Sequence, residues 1–396
     1  MNKNPNATET AVPEYLFTGA ILATPAFNYS VLAEGMQYFS TYKEVPAIGD
    51  KYYSFNGTVA DFQGYYTTKL NRLLQLDSLL QGPDDVNKKA MIKILKVYEF
   101  HQLTDVAGDI PYSDALKGKG NLTPKYDTQK DIYLDMLSQL DAAANSFDAS
   151  KSTFGSADLF YKGDVTKWKK FAYTLMLRLS MRLSNVDPVL SKEWSQKAIT
   201  GGVMSSDADI ARISYTNVSG GQNPQVRAML DGNYISPGGD NVEGGKYAAT
   251  FIDYLKNTHD PRLSVVSVVW VPTSPGATTY TADNSFSIQK GMVSGILNTK
   301  PTDFDTYSEP SPLVVNVAAP IIILGPSEAY LLLAEAALRG WYNDLTAQQA
   351  YDKGVDAGMT QWALYPSVAP ISGNITQDQI NSYKLNNPYN SGGTFE

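Results

Sequence analysis

Apolar positions recur three and four apart along most of residues 13 to 200, the spacing of one face of an α-helix. Residues 13–42, PEYLFTGAILATPAFNYSVLAEGMQYFSTY, open with Pro and Glu, as helix starts do, and stay largely apolar. Residues 59–80 carry a helical pattern that stops at Gly82-Pro83, and residues 84–106 begin with acids and run helically to Gly108. After the loop GDIPYSDAL, residues 123–147 predict a further helix with Asp127 as its N-cap. Residues 161–183 and 187–200 predict two more, the second closing at Gly201-Gly202.

The texture changes over 203–325. SGGQNPQVRAMLDGNYISPGGDNVEGGKY is rich in Gly, Asn and Ser, LSVVSVVWVP reads as a short β-branched strand, and turn-rich sequence follows. A stretch this long with little helix, inside a helical chain, reads as a functional loop region. Helix returns over 326–365 as a pair joined by RGWYND, with small residues (Ala334, Ala336, Ala337, Ala350, Gly354, Ala357) where helices approach closely. That is the texture of tetratricopeptide helix pairs, although the full repeat signature is not met. Residues 366–396 read as a polar, frayed tail. The pattern as a whole predicts a mainly α chain forming one domain over 1–396: a helical scaffold (13–202), a loop-rich part with short strands (203–325), a further helix pair and the tail.

The segment YKGDVTKWKKFAYTLMLRLSMRL (161–183) packs six cations among large aromatic and aliphatic side chains. A basic, aromatic surface for nucleic acid or membrane would gather the cations on one face. On a wheel of about 100° per residue, Phe171, Ala172, Leu175 and Leu179 fall within roughly 60° of Trp168. Arg178 and Arg182 share that arc or its edge, whereas Lys169 and Lys170 lie elsewhere. Arginines inside an apolar stripe imply ion pairs, because an unpaired buried charge is too costly. Glu328 and Glu335 share one face of PSEAYLLLAEAALRG, so Arg178 and Arg182 are expected to pair with Glu328 and Glu335.

Composition sharpens this picture. The chain has 396 residues, 43% hydrophobic and 18% charged, with a formal net charge of −8. Nucleic acid as the main partner is disfavoured, since phosphate binding needs a concentrated positive field. Tyr outnumbers Phe, 26 to 14, and rings with a polar tip suit surfaces that are half packed and half wet. The absence of cysteine excludes disulfides, thiol catalysis and cysteine metal sites. No apolar run reaches 18 residues, and MNKNPNATETAVPEYLF lacks the apolar core of a signal peptide.

TDVAGDIPYSDAL (104–116), the 161–183 segment, DPRLSV (260–265) and PSEAYLLLAEAALRGW (326–341) occur in this order. Together they resemble the SusD/RagB family, the surface nutrient-binding lipoproteins of Bacteroidetes, and most closely its SusD-like subgroup. The resemblance implies tetratricopeptide-like helix pairs in a right-handed superhelical scaffold, with ligand loops in an irregular part. It implies a lipid anchor on the outer face of the outer membrane. It also implies a SusC-like TonB-dependent transporter as partner, and capture of glycans or peptides without catalysis. Family members carry a signal peptide and anchoring cysteine, and they continue beyond the position of Glu396 with a paired-arginine segment; neither feature is in this sequence.

Candidate chemistry is thin. His101 lies within a helical pattern and His259 at a turn, and neither has the partners of a zinc motif. No nucleophile elbow and no phosphate loop occurs. The acids of SSDADI (205–210) and TDVAGD read as turn and capping groups rather than a calcium site. No cofactor and no catalytic residue is assigned. A helical-barrel glycoside hydrolase, which needs two carboxylates at fixed separation, is the alternative reading, as is a tetratricopeptide-type peptide-binding scaffold. If glycans bind, rings from loops are the candidates: Tyr52, Tyr53 and Asn56 in GDKYYSFNG, and Trp270 and Tyr280 in VVWVPTSPGATTYTADN. Trp168, Trp194, Trp341 and Trp362 are assigned to packing.

Overall fold

The computed structural model describes residues 11–25, 31–43, 62–231 and 245–390. By contact, the chain divides into two compact units, one of Met1–Ala26, Ala60–Ile213 and Ile322–Ala347, the other of Phe27–Val59, Ser214–Ile321 and Gln348–Glu396.

The first unit is helical. Its helices are α1 (Pro13–Ala23), α2 (Asn71–Leu79), α3 (Val86–Ala107), α4 (Gln129–Ser146), α5 (Val165–Arg182), α6 (Pro188–Gly201) and α7 (Pro326–Leu338). Helix α1 ends well short of residue 42, with Thr24 at the C-cap and Pro25, which cannot continue a helix, next in the chain. A π-helical stretch, Tyr65–Leu70, leads into α2. Helices α3 to α6 pack each on its neighbour in sequence, giving tetratricopeptide-like helix pairs. Thr128, not Asp127, caps α4: its hydroxyl accepts from the Asp131 amide. Asp127 instead turns back to accept from the Tyr112 and Ser113 amides.

Helix α5 is the centre of this unit. Helices α3, α4, α6 and α7 all pack on it, so Trp168, Phe171, Leu175 and Leu179 are fully buried, and so are Met176 and Leu177 outside the expected stripe. A wheel cannot foresee a helix covered on every side. Burying each such side chain is worth about 1.5–3 kcal/mol. The preceding loop is tied to the helix by Asp158, whose buried carboxylate accepts from Trp168 Nε1 at 2.7 Å and from the Gly163, Phe160 and Tyr161 amides. Gly163 there has φ +85°, and a Cβ would strike Thr153.

The second unit has a core of Phe39, Tyr247, Ile252, Leu263, Val268, Leu313 and Ile371. Phe39–Ser40 pairs antiparallel with Lys246–Tyr247, and Ser267–Pro272 is the middle strand between Tyr280–Asp283 and Glu309–Pro310. Helix Ala347–Thr360 lies almost entirely in this unit, whereas α7 belongs to the first. The polar tail contains a helix, Gln377–Asn386. A capping box between Thr376 and Gln379 starts it, and Ile380 and Tyr383 are buried with Met359.

Candidate ligand-binding site

The sequence VVWVPTSPGATTYTAD builds its hairpin from local rules. Pro275 and Gly276 occupy the centre of a turn closed by the Ala277 amide on the Ser274 carbonyl, at 3.0 Å. Gly276 has φ +78°, as the third residue of a type II turn requires. The strands then pair Trp270 with Ala282 and Pro272 with Tyr280. Side chains two apart on a strand, and those directly opposite, share a face. Trp270, Pro272, Tyr280 and Ala282 therefore lie on one face, with Trp270 and Tyr280 as diagonal neighbours, a spacing aromatic side chains can bridge.

That face grades from core to solvent. Val268 is fully buried, Trp270 and Tyr280 are half-buried, and Pro272 is exposed. Trp270 packs against the core cluster, yet its indole N–H has no hydrogen-bond acceptor. Buried donors are rarely left unmatched, so this N–H calls for a partner beyond the protein's own acceptors, a water or a ligand group. The hairpin base is held by one buried amide. Gln289 accepts from Ser267 (2.6 Å) and Ser308 (2.8 Å) and donates to the Asp283 and Ser285 carbonyls. A satisfied amide of this kind fixes the ribbon before any ligand arrives.

Trp362, assigned from sequence to packing, packs against the same cluster, 4.8 Å from the Tyr365 ring. Its indole N–H is also buried without an acceptor. No sequence signal separates it from an ordinary core tryptophan. Tyr52, Tyr53 and Asn56 lie outside the described residues.

Of the four ion-pair residues, the structure brings together Arg178 and Glu328. The guanidinium forks onto the carboxylate, with Nε at 2.5 Å and Nη2 at 2.6 Å. The other pairing is corrected. Arg182 bonds Asp105 at the end of α3, and Glu335 takes Arg339, four residues on, at 2.7 Å. Arg182 sits in the last turn of α5, where the end of α3 is within its reach, and a local i,i+4 partner needs no second helix. His101 is buried, and its Nδ1 donates to the Tyr98 carbonyl at 2.5 Å. Burial, then Arg178 and Arg182, hold it neutral, well below the usual histidine range. Asp209 of SSDADI accepts from the Ser205 and Ser206 amides and from Lys170. Among the described residues no three acids or histidines converge on a metal-sized point, and no helix is long and apolar enough to cross a membrane.

Residues 5–394 match the SusD-like family described as "Starch-binding associating with outer membrane". A solved chitin-binding protein is 28% identical with a TM-score of 0.78, over 94% of this chain and 79% of its own. A chitin-binding SusD homologue from Flavobacterium johnsoniae is 26% identical at a TM-score of 0.69, over 88% of this chain and 69% of its own. A SusD homologue from Bacteroides fragilis shares the fold at 23% identity and a TM-score of 0.76, over 95% of this chain and 78% of its own. No curated protein matches the sequence. With its helix pairs, its hairpin-bearing second unit and this match over nearly its whole length, the chain belongs to the SusD-like family.

Proposed function

We propose that the protein captures oligosaccharides at the cell surface and delivers them to a SusC-like TonB-dependent transporter, held to the outer membrane by a lipid anchor, without acting on the glycan chemically. The observation that carries this reading is the match over residues 5–394 to a family described as starch-binding and outer-membrane-associated. Two chitin-binding structural neighbours support a glycan ligand. The hairpin face supplies the matching chemistry. Trp270 and Tyr280, both half-buried, offer rings to the apolar face of a sugar. Tyr52, Tyr53 and Asn56 are proposed as further ligand-binding residues.

A glycan array followed by calorimetry with chitin and starch oligosaccharides tests this. Trp270→Ala is expected to weaken binding roughly 30-fold, the scale of a lost aromatic anchor of about 2 kcal/mol. Equal binding by wild type and variant removes Trp270 from the site. Sustained release of reducing ends from the same sugars would favour the glycoside hydrolase instead.

A further inference from the structure

The helical unit has a cleft of its own, about 390 Å³, between α3, α4 and the strand pair Ile110–Pro111 with Tyr126–Asp127. That is within the size range of small-ligand sites. One wall is aromatic: the Phe100 and Tyr112 rings meet edge to face at 4.6 Å. The opposite wall is successive turns of α4, carrying Asp131, Asp135 and Gln139.

The polar groups there are already arranged. The Tyr112 hydroxyl donates to Asp135 Oδ2 at 2.6 Å and accepts from Gln139 Nε2 at 3.0 Å. Gln139 also donates to Asp135. This triangle holds a carboxylate and a phenol in fixed orientation on a partly open surface. Lys96, half-buried on the cleft's α3 side, makes no hydrogen bond or ion pair among the described residues. It is a cation with a free donor set facing a wall of acceptors.

We propose that this cleft is a second saccharide-binding site, separate from the hairpin face. A sugar ring presents an apolar face and a belt of hydroxyls that both donate and accept. The half-buried Tyr112 ring, backed edge to face by the buried Phe100, matches the first. Asp131 and Asp135, one helical turn apart, accept from hydroxyls on opposite sides of the ring, and Lys96 donates to a third. A metal ion or a basic side chain suits the cleft less well. Lys96 repels both, and Asp135 already has part of its acceptor capacity filled by protein donors.

The proposal rests on the glycan-binding reading, and the experiment separates the two. Chitotetraose and maltoheptaose are titrated into the full chain by calorimetry, alongside tryptophan fluorescence. The cleft contains no tryptophan, so the part of the fluorescence change that Trp270→Ala removes reports the hairpin face, and calorimetry reports every site. The variants are Asp135→Asn with Gln139→Ala, Lys96→Met, and Trp270→Ala. Asp135 is exposed and Gln139 and Lys96 half-buried, so the folds should persist, and thermal melts check that. The expected result is two binding events in wild type. One should weaken ~10-fold or more in both cleft variants while the fluorescence titration is unchanged. A single event, lost in Trp270→Ala and intact in both cleft variants, overturns the second site and leaves the function reading standing. No binding of either sugar to the wild type overturns both.

Discussion

Two tryptophans, one in each unit, have opposite polar circumstances. Trp168 sits at the heart of the helical unit, fully buried, with its N–H bonded to the buried Asp158 carboxylate at 2.7 Å. Trp270 is half-buried on the hairpin, packed on one side, with its N–H unmatched. The first belongs to a network in which loop, helix and carboxylate satisfy one another. The second leaves a buried donor without a protein acceptor. Polar satisfaction, more than aromatic content, separates scaffold from candidate site in this molecule.

Replacing each tryptophan by phenylalanine tests that contrast most sharply. Both changes trim similar apolar volume, but only Trp168→Phe strips a donor from a buried carboxylate. We expect Trp168→Phe to cost about 2–4 kcal/mol, read as a fall in the denaturant midpoint, and Trp270→Phe to cost about 1 kcal/mol or less. Equal losses would dissolve the comparison.

The helical half was legible because its signals are local. The apolar spacing of 161–183 marked Trp168, Phe171 and Leu175 as core, whereas the cap of α4 fell on Thr128, one residue after the expected Asp127. The Arg178–Glu328 fork was legible too, since each side chain shares a face with core positions. The partner of Arg182 was not, because a two-helix argument cannot see the end of a third helix arriving beside it. In the second unit, the β-branched run marked one strand and the loop context singled out Trp270 and Tyr280, but the returning strand Tyr280–Asp283 lay within what read as turn-rich sequence. Their shared face depends on the pairing register, and the unmatched indoles of Trp270 and Trp362 depend on packing. The cleft of Tyr112, Asp135 and Gln139 joins residues 23 and 27 positions apart in sequence, beyond any local pattern.

Glu99 is the exception within the well-satisfied unit and gives the next effect in size. It lies buried in the middle of α3, with Lys69 Nζ 3.2 Å from Oε2 as its ion-pair partner. Burial outweighs that one cation and raises the carboxyl to about 7 from its usual 4.5. A folded value above the unfolded one means the folded state binds the extra proton. Stability from Glu99 is therefore full below about 4.5 and is lost as pH rises through about 7. The loss is on the order of 3 kcal/mol. Glu99→Gln should flatten this limb, so its melting temperature relative to wild type rises between pH 5 and pH 8. A constant difference across that range would place Glu99's proton elsewhere.

The smallest effect separates the two arginines of α5. Arg178 is half-buried and forks onto Glu328, and that pairing holds it more firmly charged than usual despite burial. Arg182 is exposed and its bond to Asp105 is screened by water. Arg178→Met should cost about 2 kcal/mol, because it removes both donors of the fork on Glu328 and the guanidinium that contacts buried His101. Arg182→Met should cost about 0.5 kcal/mol, and high salt should shrink that further while leaving the Arg178 effect largely intact. Denaturation of both variants at low and high salt measures this. Were Arg182→Met to cost as much as Arg178→Met, the α3–α5 contact at Asp105 would be as much a part of the satisfied scaffold as the fork on Glu328.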